Sequence, residues 1–329
     1  MNNQDILVFG SHVYGVYIEC DALPKPGETV VGRHFDPMNL ADGGKGSNQA
    51  VCAARLGANT AFCGVLGDDA PAYSALEQLA HANVDTQFCR LSEHAHTGVS
   101  VATLDRHGLS TIVTDMGANR DLGTRDVGRM RPHFHNYRYA LFQFENNVDV
   151  TLQAARAAQS EGCVAAVTPG PFCPLNAGAL HGIDVLVPNE TEAASLLNID
   201  EGQVDGPTDV HRIQQQWGVK NVVLTQGAKG CTILWEGALL MVPAFSVIAR
   251  NTIGAGDGFV AALFTALTWG ADIEDAAVFA SAVSAISVCC EGAPWTSYPT
   301  FEETLVFLQQ HDKEEVASAL RSKRSLHFL

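Results

Sequence analysis

Ile6-Leu7-Val8-Phe9-Gly10 is an unbroken apolar run closed by a glycine. A half-exposed strand alternates apolar and polar residues, so a short run without alternation predicts a strand buried on both faces, as inside a parallel sheet. Working outward, similar runs recur at residues 61–66, 139–144, 163–167, 184–187 and 221–224. Helix-periodic stretches such as 47–56, with Gly57 as its stop, and 151–159 lie between several of them. Parallel strands need such crossovers, and the alternation predicts an α/β chain with a central, mostly parallel sheet flanked by helices. Residues 14–35 and 98–115 break the rhythm and read as antiparallel strands, with turns at Pro24-Lys25-Pro26-Gly27 and His107-Gly108. They predict a small separate β-sheet, a lid over a site on the main sheet. No repeat or linker divides residues 1–329, so a single domain is expected, with lid segments near 12–42 and 96–116. The tail beyond His311 reads as a solvated surface helix or a frayed end.

Composition narrows the function. The chain has 329 residues, 47% hydrophobic and 17% charged, which is globular composition. Its 20 basic and 36 acidic side chains give a net charge of −16. That balance argues against a nucleic-acid or anionic-membrane surface. No apolar stretch is long enough to span a bilayer, and Met1-Asn2-Asn3-Gln4-Asp5 lacks the basic start of a signal peptide. Nine cysteines at irregular spacings, with Cys52, Cys63, Cys163, Cys231 and Cys289 in apolar surroundings, predict free thiols and a cytoplasmic location.

Two glycine-rich segments carry chemistry. Asn251-Thr252-Ile253-Gly254-Ala255-Gly256-Asp257-Gly258-Phe259 opens an apolar helix reaching about Trp269. Its glycines allow close approach of a ligand to amides at a helix start, where an anion is held. Asp257 in the first turn is either a helix-stabilising carboxylate or the acceptor of a hydroxyl proton during phosphoryl transfer. Asp42-Gly43-Gly44-Lys45-Gly46-Ser47 is not a P-loop: position 39 is Asn, and Lys45 precedes Gly46. Nor does Gly10-Ser11-His12-Val13-Tyr14-Gly15 supply the G-x-G-x-x-G of a dinucleotide site.

Gly43-Gly44-Lys45-Gly46-Ser47-Asn48-Gln49-Ala50, Asn189-Glu190-Thr191-Glu192, Thr225-Gln226-Gly227-Ala228-Lys229-Gly230 and Gly254-Ala255-Gly256-Asp257, in this order, resemble the signatures of the PfkB/ribokinase carbohydrate-kinase family. The resemblance runs from Gly10-Ser11 to Trp295 and implies a ribokinase-like kinase whose β lid often makes a homodimer contact. It implies Asp257 as catalytic base and Gly254, Ala255 and Gly256 as anion hole. Gly44, Lys45, Asn48 and Glu145 match positions binding a small sugar-like substrate, although Glu145 alone reads equally as a loop residue. Asn189, Thr225, Gly227, Gly230 and Ser281 match ATP-binding positions, and Glu192 a position that organises Mg²⁺ through water. Without the family, Asn189 to Glu192 reads as a helix cap and Ser281 as core.

Departures from the pattern qualify the acceptor. Ribokinases carry an Asn and an Asp where this chain has Val13 and Gly15. An unpaired polar group there costs about 1–3 kcal/mol, so a deoxy sugar, another polyol or a nucleoside suits the pocket better than ribose unless His12 or Tyr14 substitutes. Asn251 stands where ribokinases place an Asp near a K⁺ site, whose other matches are Ile253, Ser287, Cys290, Gly292 and Thr296. A sugar-phosphate acceptor would need basic residues, for which Arg33, Arg90 and Arg106 are available. A non-catalytic nucleotide or sugar sensor is the reading from another class.

Overall fold

A computed structural model describes residues 4–34, 42–106 and 110–328. The strand Gln4–Phe9 lies inside a nine-stranded sheet, paired in parallel with Tyr137–Gln143 on one side and Thr60–Cys63 on the other. Beyond Tyr137–Gln143 come Val164–Thr168, Val185–Leu186 and Asn221–Thr225, all parallel. The antiparallel strands Cys231–Trp235 and Ala238–Val242 finish that edge, and Val84–Asp85 the other.

Side chains alternate across a strand. Ile6 and Val8 therefore enter one core, with the helices Lys45–Leu56, Ala255–Thr268 and Ile273–Cys289, while Leu7 and Phe9 enter the other, with Val148–Ser160 and Gly206–Trp217. All four are fully buried, as the unbroken run requires.

Several expectations change in detail. Residues 61–66 form two strands, not one: Thr60–Cys63 stays in the main sheet, and Val65–Gly67 pairs with Arg90–Ser92. The break falls at Gly64, where a Cβ would lie 2.7 Å from the Phe62 ring. The first site helix starts at Lys45, two residues before the expected Ser47, and ends as expected on Gly57, whose φ of 103° suits glycine.

A separate four-stranded sheet runs Arg33–His34, Val13–Cys20, Gly98–Asp105, Ser110–Asp115. Only its outer pairings are antiparallel; the central pairing, Val13↔Gly98 to Cys20↔Asp105, is parallel. Alternation identifies a strand but not the direction of a partner reached through a long connection. The turn at Lys25 to Glu28 is present, with the Glu28 N–H donating to the Lys25 carbonyl at 2.9 Å. The turn at His107-Gly108 and residues 35–41 of the first lid segment lie outside the described residues.

Of the two readings of the C-terminal tail, the surface helix holds and the frayed end does not. Glu314–His327 is a helix that buries Ala317 and Leu320 and lays the Arg324 guanidinium 4.4 Å from the Phe301 ring. The cysteines are free thiols; Cys52, Cys63, Cys163 and Cys231 are buried, but Cys289, in the last turn of its helix, is half-buried. No helix among the described residues is long and apolar enough to cross a membrane.

Candidate active site

The loop after the first strand meets the start of helix Lys45–Leu56. An α-helix leaves its first N–H groups without internal acceptors, and Gly44, the N-cap residue, has no side chain to offer. Distant residues supply them. The Lys45 N–H donates to Glu145 Oε2 at 2.7 Å, the Gly46 N–H to Ser11 Oγ at 3.3 Å, and the Ser47 N–H to the Ser11 carbonyl at 2.9 Å. The Ser11 hydroxyl donates to the same Glu145 oxygen. Gly44 holds φ at 89°, and a Cβ there would lie 2.8 Å from the Val13 nitrogen. Glycine is therefore required by both backbone and space.

Asp257 lies in the first turn of helix Ala255–Thr268 and is 6% exposed. Asn48 Nδ2 donates to its Oδ2 at 2.9 Å, and Gln49 Nε2 reaches Oδ1 at 3.4 Å. Gly254 caps the helix with φ 78°; a Cβ there would lie 2.7 Å from Pro294 and 2.8 Å from the Tyr298 hydroxyl. That hydroxyl donates to the Gly254 carbonyl at 2.9 Å, fixing the turn from behind. At Gly256, in contrast, a Cβ would meet nothing within 4 Å. The Ala255 N–H donates to Thr252 at 3.3 Å, while the N–H groups of Gly256 and Asp257 sit in the first turn, where the helix has no acceptor of its own.

Lys45 is the electrostatic centre. Burial opposes its charge, but Asp257, Glu145 and Glu192 together more than offset this and hold it protonated. Burial raises the pKa of each of the three carboxyls, with Lys45 pulling the other way. The structure thus brings Gly44, Lys45, Asn48, Glu145, Glu192 and Asp257 into one cluster.

Glu192 and Asn189 form a capping box on helix Glu190–Leu197: the Glu192 N–H donates to Asn189 Oδ1 at 2.8 Å, and the Asn189 N–H to Glu192 Oε2 at 3.0 Å. Gly170 leaves room for the other Glu192 oxygen and the Lys45 stem. Asn189 bridges in parallel to Thr225, placing these two side by side. Gly227 and Gly230 follow in the next loop with φ of 52° and 99°. Ser281 is not joined to them by any described contact; its hydroxyl is buried without a hydrogen-bond partner. Its helix reaches the Asp257 turn through Ser284, whose hydroxyl donates to the Ala255 carbonyl at 2.9 Å.

Residues matched to a monovalent-cation site make local hydrogen bonds. Asn251 Nδ2 donates to the Gly292 carbonyl at 2.8 Å, and Asn251 Oδ1 accepts from the Ile253 N–H at 3.0 Å. An N–H, not a lone pair, faces that carbonyl. The Ser287 carbonyl accepts from the Cys290 N–H at 3.2 Å, and the Thr296 hydroxyl donates to Ala293 at 2.9 Å. No group of three His, Cys, Asp or Glu side chains among the described residues converges as a metal cage.

Sequence reading missed Ser11, Gln49, Gln143, Trp295 and Tyr298. Gln49 and Trp295 lay within the matched stretches without a role. Ser11, Gln143 and Tyr298 carry no local signal, because their side-chain partners are 35 or more residues away.

Residues 3–300 match the pfkB family carbohydrate kinase. Ribokinase from Haemophilus influenzae is 32% identical over 304 residues, covering 92% of this chain and 98% of that protein. Deoxyribokinase from Salmonella typhi is 28% identical, covering 94% of this chain and 100% of its own length. The structure of Arabidopsis thaliana ribokinase complexed with ribose and ATP superposes with a TM-score of 0.80 at 29% identity, covering 93% of this chain and 98% of that one. The chain belongs to the pfkB family of carbohydrate kinases, and is thereby a phosphotransferase with an alcohol group as acceptor.

Proposed function

We propose that this kinase transfers the γ-phosphoryl group of ATP to a hydroxymethyl group of a small sugar-like acceptor, with Asp257 as the base. One observation carries the reading: a buried carboxylate, raised by burial yet held by an amide and by Lys45, stands beside an open glycine turn of first-turn amides. Asp257 takes the acceptor's proton as the acceptor oxygen bonds to the γ-phosphorus; the bond from that phosphorus to the β–γ bridging oxygen breaks, and ADP leaves. The amides of Gly256 and Asp257 face the charge that gathers on the moving group. Lys45, Asn48 and Glu145 orient the acceptor, while Asn189, Thr225, Gly227, Gly230 and Ser281 hold the nucleotide. Mg²⁺, which neutralises phosphate oxygens when bound, suits Glu192: one carboxylate with phosphates and water is the ordinary donor set of that ion. An uncharged Asn251 in place of the family's Asp, with its N–H on the Gly292 carbonyl, weakens the case for K⁺ activation.

The acceptor is poor in hydroxyl groups at the position facing Val13 and Gly15. Position 15 has no room for the family's Asp, because a Cβ there would lie 2.6 Å from the Tyr17 ring and closer still to the Asp42 carbonyl. A deoxypentose or a nucleoside therefore outranks ribose. The basic residues that a sugar phosphate would need are engaged elsewhere: Arg33 with Glu19, Arg90 with Asp126 and Arg106 with Asp21.

The small sheet serves as lid over this site and as a homodimer contact in the cytoplasm. Val101 and Val113, cross-strand partners, are 39% and 76% exposed, which favours burial against a second copy. ADP release across pentoses, deoxypentoses, hexoses, their phosphates and nucleosides tests the reading. Turnover with a deoxypentose or nucleoside, abolished in Asp257→Asn with ATP binding intact, supports it; ATP binding without ADP release for every acceptor overturns it in favour of a sensor.

A further inference from the structure

The two ends of the Asn48 amide have different partners. One is the Asp257 carboxylate, which, when ionised, can only accept; the other is the indole of Trp295, whose Nε1–H can only donate. The Trp295 Nε1–H lies 3.0 Å from Asn48 Oδ1, and Asn48 Nδ2 lies 2.9 Å from Asp257 Oδ2. Only one orientation of the amide satisfies both. Reversed, it would set N–H against N–H and oxygen against carboxylate oxygen.

Trp295 is itself immobilised. It is 5% exposed, its backbone N–H donates to Asp42 Oδ2 at 3.0 Å, and its ring packs 5.8 Å from the buried His12 ring. The second Asp257 oxygen is served by a parallel chain, Gln143 Nε2 to Gln49 Oε1 at 2.7 Å and Gln49 Nε2 to Asp257 at 3.4 Å. Both Gln side chains of that chain are amides that can turn over, so its polarity is set only from the carboxylate end. The indole is a donor whatever the protonation state of Asp257, so it fixes the Asn48 amide from the other end.

Resting on the reading of Asp257 as base, we propose that Trp295 is a positioning residue that locks the Asn48 amide with its NH₂ toward Asp257. One Asn48 hydrogen then steadies the carboxylate, and the other is left for an acceptor hydroxyl. The Asn48 oxygen, spent on the indole, contributes little to hydroxyl recognition, which adds to the loss at Val13 and Gly15.

The test compares the wild-type protein with Trp295→Phe and with a protein carrying benzothienylalanine at position 295, an isostere of Trp without its N–H. Carboxyl ¹³C NMR follows the Asp257 titration, the resonance being identified by its absence in Asp257→Asn; kcat and KM are measured against pH in parallel. Loss of the indole donor should raise the Asp257 titration midpoint and the acidic limb of kcat/KM by about one pH unit. It should also lower kcat about tenfold while leaving KM for ATP unchanged. The isostere separates this from packing, because it keeps the ring volume if Trp295→Phe folds poorly. An isostere with the wild-type midpoint and limb overturns the proposal. Failure of every acceptor to release ADP would overturn the reading of the base instead, and the resonance would still decide the role of Trp295.

Discussion

Asn251 and Gly292 are joined side chain to backbone, the Asn251 Nδ2–H donating to the Gly292 carbonyl at 2.8 Å. That N–H takes one of the two lone pairs of a carbonyl matched to the family's cation site. Rates in K⁺, Na⁺ and choline chloride at matched ionic strength should therefore agree within about twofold. Asn251→Asp, which removes the N–H and adds a charge, should gain several-fold stimulation by K⁺. A strong K⁺ requirement in the unmodified protein would refute this account.

With Asp257 as the proposed base, its burial-raised pKa should place the acid limb of activity above the ordinary carboxylate range near 4. The base works only when ionised, so kcat/KM should fall as pH drops through that raised value and plateau above it. A pH–rate profile with its limb at or below about pH 4 would remove burial as the controlling influence.

Lys45 faces Asp257, Glu145 and Glu192. Lys45→Met leaves three crowded carboxyls without their cation and should cost about 2–3 kcal/mol of stability, below the fully buried range because the residue is half-buried. The sign with pH follows from the direction of the shifts. Carboxyls whose folded pKa is raised favour the fold when protonated, an effect complete below the unfolded pKa and lost as pH rises through the folded one. Urea unfolding should thus show a larger deficit at pH 7.5 than at pH 5.

The two glycines of the turn separate folding from chemistry. Gly254→Ala meets both a left-handed φ of 78° and the Pro294 and Tyr298 side chains, and should lose about 1–3 kcal/mol. Gly256→Ala has open space and should melt within about 2 °C of the wild type, yet lose turnover because the methyl enters the anion's position. Equal melting temperatures for the two variants would contradict this division.

His12 is fully buried, and burial holds its pKa down to about 3, with Asp69 opposing. A depressed histidine favours the fold above its unfolded pKa of about 6.5, and this contribution is lost as pH falls. Between pH 7.5 and pH 5 the loss amounts to about 2 kcal/mol. His12→Phe, which keeps a ring against Trp295, should flatten that part of the stability profile in urea titrations.

The architecture was legible because burial writes itself into sequence. An apolar run such as Ile6 to Phe9 reads as buried, and Gly57 after a helix-periodic stretch reads as its stop. What stayed hidden was set by distant partners. The helix begins at Lys45 because Glu145 and Ser11 supply acceptors from other elements. Val13–Cys20 pairs in parallel with Gly98–Asp105 although each strand alone fits either direction. At the site, the glycine turns and charged residues stood out by type and order. Trp295 did not, since an indole beside a proline resembles any core aromatic until its N–H is seen on Asn48.

The dependence of Lys45, Gly46 and Ser47 on Ser11 and Glu145 has a consequence for biosynthesis. During translation the glycine loop leaves the ribosome about a hundred residues before the acid that shapes its first amide, and Trp295 emerges later still. A product terminated just short of Trp295 would thus carry each glycine motif yet lack the indole that Asn48 bonds.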